Sequence, residues 1–195
     1  MLVRLLAPKT TDSLLDVACG TGQVSTNFSG HVGRITGLDI TPAMFDQADT
    51  ILDEMVVSSA ESMPFADETF DLVIERQGIQ FMDDAKAVGE MVRVCKPGGR
   101  ICVVQLCAVG ESDREEYHEV LRLRNPARKN FYVRGDIEAL LTNAGCRSVD
   151  VHEYVSVEDV DAWSDNGAIP ESNREGIRAV YRNASDAFRK LHAVQ

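Results

Sequence analysis

The chain has 195 residues, enough for one sizeable hydrophobic core and few for two. Its 31 Asp and Glu outnumber its 20 Lys and Arg, and the net charge of −11 argues against sequence-independent nucleic-acid binding, which needs cations to neutralise phosphates. No apolar run approaches the roughly 18 residues of a membrane helix and the start lacks a signal-peptide pattern, so a cytoplasmic protein with no membrane insertion is expected.

Met1 to Ala7 is apolar with Arg4 interposed and reads as the end of a helix. Pro8 and Thr10-Thr11-Asp12 form a loop before the first strand, Leu14 to Val17, which ends in Ala18-Cys19-Gly20-Thr21-Gly22. Gly20 and Gly22 let the backbone pass close to a ligand, and Gln23 to Phe28 can start a helix. Strand two is Arg34 to Leu38. Thr41 as N-cap with Pro42 at the first helical position opens a helix over Ala43 to Leu52. Strands at Met55 to Ser58 and Leu72 to Glu75 follow, then a helix from Ala85 to Val94 whose Val88, Met91 and Val92 share one face. Pro97-Gly98-Gly99 turns into strand five, Ile101 to Leu106. Helices are expected over Ser112 to Arg124 and Ile137 to Ala144, the latter capped by Gly145. Val149 to Val157 alternates like a sixth strand. Asp159 to Trp163 starts a short helix, and Glu171 to His192 reads as one long helix. There are no repeats or low-complexity segments. The sum is one α/β domain with a mainly parallel sheet.

The five Cys (Cys19, Cys95, Cys102, Cys107, Cys146) read as reduced, mostly buried thiols, and the lack of a Cys-x-x-Cys pair argues against a zinc site; no metal is expected. Cys19 reads as a small residue that fits its loop rather than as a nucleophile.

The loop is not a dinucleotide fingerprint, because its third Gly position holds Ser25. The acid-x-small-x-Gly-x-Gly run from Asp16 to Gly22 instead resembles motif I of the class I S-adenosylmethionine-dependent methyltransferases. Gly37-Leu38-Asp39-Ile40 places an acid roughly 20 residues beyond the loop, where a carboxylate can accept from a ribose diol. Ala60-Glu61-Ser62-Met63-Pro64-Phe65 resembles the family's "DAxxLPF" segment, Phe70 to Ile74 its fourth strand, and Lys96 to Arg100 its "KPGG" turn. The resemblance covers Asp12 to Leu106 and is nearest to the ubiquinone/menaquinone-biosynthesis-like group. It implies a Rossmann-like three-layer α/β sandwich of order 3-2-1-4-5-6. The seventh strand found in relatives is not legible after Val157, nor is the longer helical lead before strand one. Either the sheet is shortened, or the chain is trimmed, or a partner chain supplies the strand. The whole of 1–195 is expected to be one methyltransferase domain, with 108–135 and 159–195 as lid or substrate-side helices, in a monomer or homodimer.

The resemblance implies the cofactor S-adenosylmethionine and a small-molecule acceptor methylated by in-line displacement. Asp16 would orient the loop or the methionyl ammonium. Ala18, Gly20, Thr21 and Gly22 would lie under the cofactor. Asp39 would take the ribose diol, Ile40 and Met44 would flank the adenine, and Ala60 and Glu61 would edge it. The family's acid before that Ala is here Ser59, so either Ser59 accepts a hydrogen bond or Glu61 substitutes. Glu75 and Arg76 close the pocket floor. Glu75 acts there through its backbone carbonyl, or else its side chain pairs with Arg76. Where relatives carry a His pair the chain has Gln80 and Phe81, neither of which can act as a base. His118, beside Tyr117, is the remaining weak candidate for a catalytic base. Arg122, Arg124, Arg128, Lys129 and Arg134 either hold an acceptor carboxylate or phosphate or form a solvated face paired with Glu115, Glu116 and Glu119. Two other readings stay open. One is an NAD(P)-dependent oxidoreductase, weakened by Ser25 and by the lack of a Tyr-x-x-x-Lys pair. The other is a non-catalytic methyltransferase-like binding module.

Overall fold

A computed structural model describes residues 1–46, 51–154, 159–165 and 169–192. The chain divides into two compact units, the first formed by Met1–Gln105 with Ala139–Ser148 and the second by Leu106–Glu138 with Val149–Gln195.

The first unit holds helix α1 (Leu2–Leu6) and strands β1 (Ser13–Val17), β2 (Arg34–Asp39), β3 (Glu54–Val57), β4 (Phe70–Arg76) and β5 (Cys95–Val104). They form a five-stranded sheet of order β3-β2-β1-β4-β5, parallel at every pairing. The apolar run Leu14-Leu15-Asp16-Val17 is buried throughout, as a central parallel strand covered on both faces must be. Leu14, Ile35, Leu72 and Ile74 pack with Leu6, Phe28 and Leu52 into one core. Helix α3 (Asp84–Val94) starts at Asp83, whose side chain accepts from the amide of Lys86, and buries Ala87, Val88, Met91 and Val94 at helical spacing. The Lys96–Gly99 turn loops out of β5, so Phe70 faces Cys95 while Leu72 already faces Arg100.

Three expectations are corrected here. Gln23 to Phe28 forms only a 3-10 turn, Ser25–Phe28. Its run of Val, Ser, Thr and Asn propagates a helix poorly, and Thr26 Oγ1 and Asn27 Nδ2 bond back to the carbonyls of Gly22 and Gln23. Of the Ala43 to Leu52 helix, α2 (Pro42–Phe45) is helical, 47–50 lie outside the described residues, and Leu52 is in no helix. Thr41 takes the N-cap place without a side-chain bond. The third concerns strand six. Residues 149–154 form no strand, and 155–158 lie outside the described residues, so the observed order ends at β5. Alternation creates an amphipathic ribbon, but a strand also needs a neighbour for its amides. Val151 and Tyr154 stay exposed.

The second unit contains a small parallel pair, β6 (Cys107–Ala108) with β7 (Tyr132–Val133), and helices α4 (Arg114–Arg124), α6 (Val160–Ser164), α7 (Glu171–Asn183) and α8 (Asp186–Leu191). Helix α5 (Asp136–Asn143) is followed by Gly145 in the left-handed conformation. Ala108, Tyr117, Leu121, Ala184 and Phe188 form the second unit's core. The expected long C-terminal helix is broken at Ala184-Ser185. Ser185 caps α8, accepting from the amide of Phe188, while Glu116 accepts from both its amide and its hydroxyl at 2.6 Å. No helix among the described residues is long and apolar enough to cross a membrane.

Candidate functional site

The carboxyl ends of β1, β2 and β4 converge on the glycine loop, where an open parallel sheet places its ligands. Three loop residues take left-handed conformations: Ala18 (φ 54), Gly20 (φ 54) and Gly22 (φ 78). A Cβ on Gly20 would meet no protein atom within 4 Å, so its backbone faces open space, whereas one on Gly22 would touch Leu52. The space is a cavity of about 300 Å³ lined by Asp16, Ala18, Cys19, Gly20, Thr21, Gln23, Val24, Met44 and Arg76. That volume is at the lower end of the range for small-molecule pockets, roughly 300–1,000 Å³.

Asp16 is 1% exposed. Its Oδ2 accepts from Ser25 Oγ at 2.5 Å. Burial pushes its carboxyl up to about 6, against the opposing pull of Ser25. The residue that breaks the dinucleotide pattern therefore holds the loop's acid. Cys19 lines the same cavity, but burial pushes its thiol up to about 12, leaving no thiolate at neutral pH. Asp39 joins β2 to the loop: its Oδ2 accepts from the amide of Gly20 and its Oδ1 from that of Thr41, both at 2.9 Å. Beside it Ile40 is 69% and Met44 38% exposed, apolar surface left bare next to the cleft.

The floor is built around Glu75. Its side chain is fully buried and does not pair with Arg76. It accepts from the amide of Gly78, and at 3.0–3.1 Å from the amide of Ile79 and from Gln105 Nε2. Burial pushes it up to about 7. Its bonds bend Gln77 into a left-handed turn (φ 61) and bring Gly78 so close to the loop that a Cβ there would lie 2.5 Å from the Ala18 Cβ. Gln80 is buried with its Nε2 on the carbonyl of Gln77 at 2.5 Å. Arg76 is exposed at the cavity wall.

The segment after β3 stands outside the cavity lining. Ala60 is buried, the Glu61 amide donates to Ser59 Oγ at 3.1 Å, and Glu61 Oε1 accepts from the Asp83 amide at 2.9 Å. Ser59 and Glu61 thus both serve their own loop. Arg93 and Glu90 of α3 hold the segment through the backbone of Met63 and Phe65. Of the anticipated residues, Asp16, Ala18, Gly20, Thr21, Met44 and Arg76 line one cavity; Gly22, Asp39, Ile40, Ala60, Glu61 and Glu75 do not. Sequence reasoning missed Gln23 and Val24, which follow the loop directly, and Gln105, signalled only by its place after β5. In the second unit His118 is buried, with Nε2 3.3 Å from the carbonyl oxygen of Tyr132 and its ring 5.3 Å from that of Phe131.

Comparison with known proteins agrees with this geometry. A family described as a methyltransferase domain matches residues 15–103. A ubiquinone/menaquinone biosynthesis C-methyltransferase, UbiE of a Ruegeria species, is 31% identical over 204 residues, covering 96% of this chain and 75% of the relative. The uncharacterized methyltransferase YcgJ of Bacillus subtilis is 26% identical over 203 residues, covering all of this chain and 80% of the relative. The crystal structure of YcgJ superposes with a TM-score of 0.88 at 24% identity, over 97% of this chain and 85% of that one. A putative methyltransferase from Bacillus halodurans gives 0.87 at 22%, over 97% and 86%. The chain belongs to the class I S-adenosylmethionine-dependent methyltransferases, and its methyl donor is S-adenosylmethionine.

Proposed function

We propose that this enzyme methylates a small-molecule acceptor, and that the donor lies across the glycine loop against Asp16, Ala18, Gly20, Thr21, Gly22, Asp39, Ile40, Met44, Ala60, Glu61, Glu75 and Arg76. The observation that carries the reading is the open backbone face of Gly20 beside the buried carboxylate of Asp16. A loop with no side chain at Gly20 lets a ligand come close to the backbone. A desolvated carboxylate suits a ligand ammonium, which repays its burial. Asp39, already fixed by two amides, has lone pairs left for a ribose diol. Ile40 and Met44 lose exposed apolar area if a flat ring covers them.

When bound, the sulfonium supplies an electrophilic methyl carbon. The chain's own residues orient the acceptor in line and exclude water, an effect of roughly 7–11 kcal/mol when alignment is complete. No base step is assigned to His118, whose Nε2 faces a backbone carbonyl. A small acceptor accords with the relative named for ubiquinone and menaquinone biosynthesis and with the acidic surface. We assign segments 108–135 and 159–195 to acceptor selection.

The test is methyl transfer from labelled S-adenosylmethionine to a panel of small phenols, quinols, amines and carboxylates, run beside tRNA and a protein mixture. Turnover confined to the small molecules is expected. Turnover confined to tRNA or protein would overturn the acceptor class. Thermal stabilisation by S-adenosylhomocysteine, with none by NADH, is the matching check on the donor site.

A further inference from the structure

Among the described residues, the second unit buries a positive charge with no opposite charge beside it. Arg128 lies in the turn between α4 and β7 and is 9% exposed. Its Nε donates to the carbonyl of Asn130 at 3.0 Å. Its Nη2 is sealed from solvent and has no hydrogen-bond partner. The guanidinium stands 5.6 Å from the centre of the Phe131 ring. The groups that bear on it electrostatically are Tyr117, Tyr132, Cys107 and Arg124, with no carboxylate among them. Its neighbour on the same ring, Arg122, is neutralised by Glu119. Arg134 is paired too, with Glu153. Among the described residues, Arg122 and Arg134 of the basic run thus meet acids at the surface, while the buried Arg128 meets none.

A second donor shares the place. Tyr117 of α4 is 8% exposed, its charge state is coupled to that of Arg128, and its hydroxyl bonds to no described residue. A buried lysine can shed its proton, but a guanidinium cannot, so its desolvation has to be offset by a partner. A planar fork and a phenol hydroxyl among aromatic rings are the donors a carboxylate or phosphate takes.

We propose that Arg128 and Tyr117 form an oxyanion site within the second unit that takes the carboxylate or phosphate group of a small-molecule ligand. It accounts for a charge that the packing of the unit leaves uncompensated.

The experiment uses the full chain. Benzoate and inorganic phosphate are titrated separately, with benzamide as the neutral control, and the arginine side-chain NH signals are followed by NMR. The Arg128 signal, identified by its loss in Arg128→Lys, is expected to shift saturably with an oxyanion and not with benzamide. The stronger probe tells a carboxylate-bearing ligand from a phosphate-bearing one. By calorimetry with the same probes, Arg128→Lys, which keeps the charge without the fork, should bind about tenfold more weakly, and Tyr117→Phe several-fold more weakly. Arg128→Met removes the uncompensated charge and should melt no lower than wild type while losing the response. A wild-type Arg128 signal that ignores both oxyanions, or follows benzamide equally, overturns the proposal. A lower melting temperature in Arg128→Met, with probe binding intact in Arg128→Lys and Tyr117→Phe, overturns it also, because the guanidinium is then a packing element. S-adenosylhomocysteine binding is measured by calorimetry on the same samples. Its loss in wild type would sink the donor reading and leave the oxyanion result standing, so the two failures are distinguishable.

Discussion

Each unit buries charge that no ion pair meets among the described residues, negative in the first and positive in the second, and the two treat it differently. In the first, Asp16 and Glu75 are carboxylates sealed at strand ends and met by hydroxyl, amide and carboxamide donors. In the second, Arg128 is a cation set among aromatic rings with one backbone acceptor. Carboxylates can retreat from an unfavourable site by taking a proton, and both of these are pushed toward doing so. A guanidinium has no such exit. Among the described residues Asp16, Glu75 and Arg128 form no ion pair, so a cation would complement the first unit's buried charge and an anion the second's. The methyl donor is cationic at the sulfonium, so the first complement has an identity.

The largest expected effect comes from the contact between floor and loop. Gly78→Val forces a side chain into the space held by the Ala18 Cβ, only 2.5 Å from where its own Cβ must sit. Overpacking of this kind costs about 1–3 kcal/mol, and the strain falls on the left-handed turn at Ala18. Chemical denaturation should show the loss, and calorimetry should show no S-adenosylhomocysteine binding. Wild-type binding in this variant would mean that the floor does not shape the loop.

Next come the carboxylates, where stability and binding are expected to move in opposite directions. Asp16 rises from 3.8 unfolded to about 6 folded. Between those values the folded state holds more protons than the unfolded chain, so stability falls as pH rises through the window. Above it the full cost of burying the charge remains, of order 3 kcal/mol. Asp16→Asn should therefore be more stable than wild type at pH 7.5, by about 1–3 kcal/mol, with a flatter pH profile. Its S-adenosylhomocysteine affinity should drop by about 10- to 100-fold, because a charge-assisted bond to the ammonium is lost. In wild type the same affinity should weaken as pH falls below about 6, the carboxylate being the binding form. A variant both weaker in stability and unchanged in affinity would make Asp16 an ordinary structural acid.

Glu75 repeats the argument with a smaller consequence for binding. Burial raises it from 4.5 to about 7, so stability again declines with rising pH across that interval. Glu75→Gln should remove the part of this slope that lies above about pH 6, beyond the window of Asp16, while staying within about 1 kcal/mol of wild type near pH 7.5, since the lost charge offsets a lost acceptor. An unchanged slope between about pH 6 and 7 in the variant would assign it to another group.

The parts of this picture that could be read in advance are those fixed by local chemistry. Acid, small residue and glycine at the end of an apolar run specify the β1 turn, and Asp83 three residues before Lys86 specifies the start of α3. Asp39 was legible from its spacing, although its bonds to the Gly20 and Thr41 amides were not. What stayed hidden depends on partners distant in the chain. Residues 149–154 alternate well enough for a strand, yet pair with none. Arg122 and Arg128 look equivalent in sequence and share the Phe131 ring, and only burial sets Arg128 apart. Glu61 resembles an adenine-edging acid in its motif, and its bond from the amide of Asp83, 22 residues on, cannot be read there.

The smallest expected effect asks whether the two kinds of buried charge depend on each other. Ser185 sits where the sequence predicts the interior of a long helix, but its hydroxyl accepts from the amide of Phe188 and donates to Glu116. Ser185→Ala removes one helix cap and should lower stability by about 1 kcal/mol. Phe188 and Ala184 belong to the second unit's core, so the loosening should appear there as faster amide exchange along α8. Asp16, Gly20 and Asp39 make none of their bonds to that helix, and S-adenosylhomocysteine affinity should stay at its wild-type value. Calorimetry on Ser185→Ala checks this directly. A fall in donor affinity that tracks the lost cap would show that the aromatic cluster and the glycine loop respond as one cooperative structure, and the contrast between the units would then be one of chemistry alone.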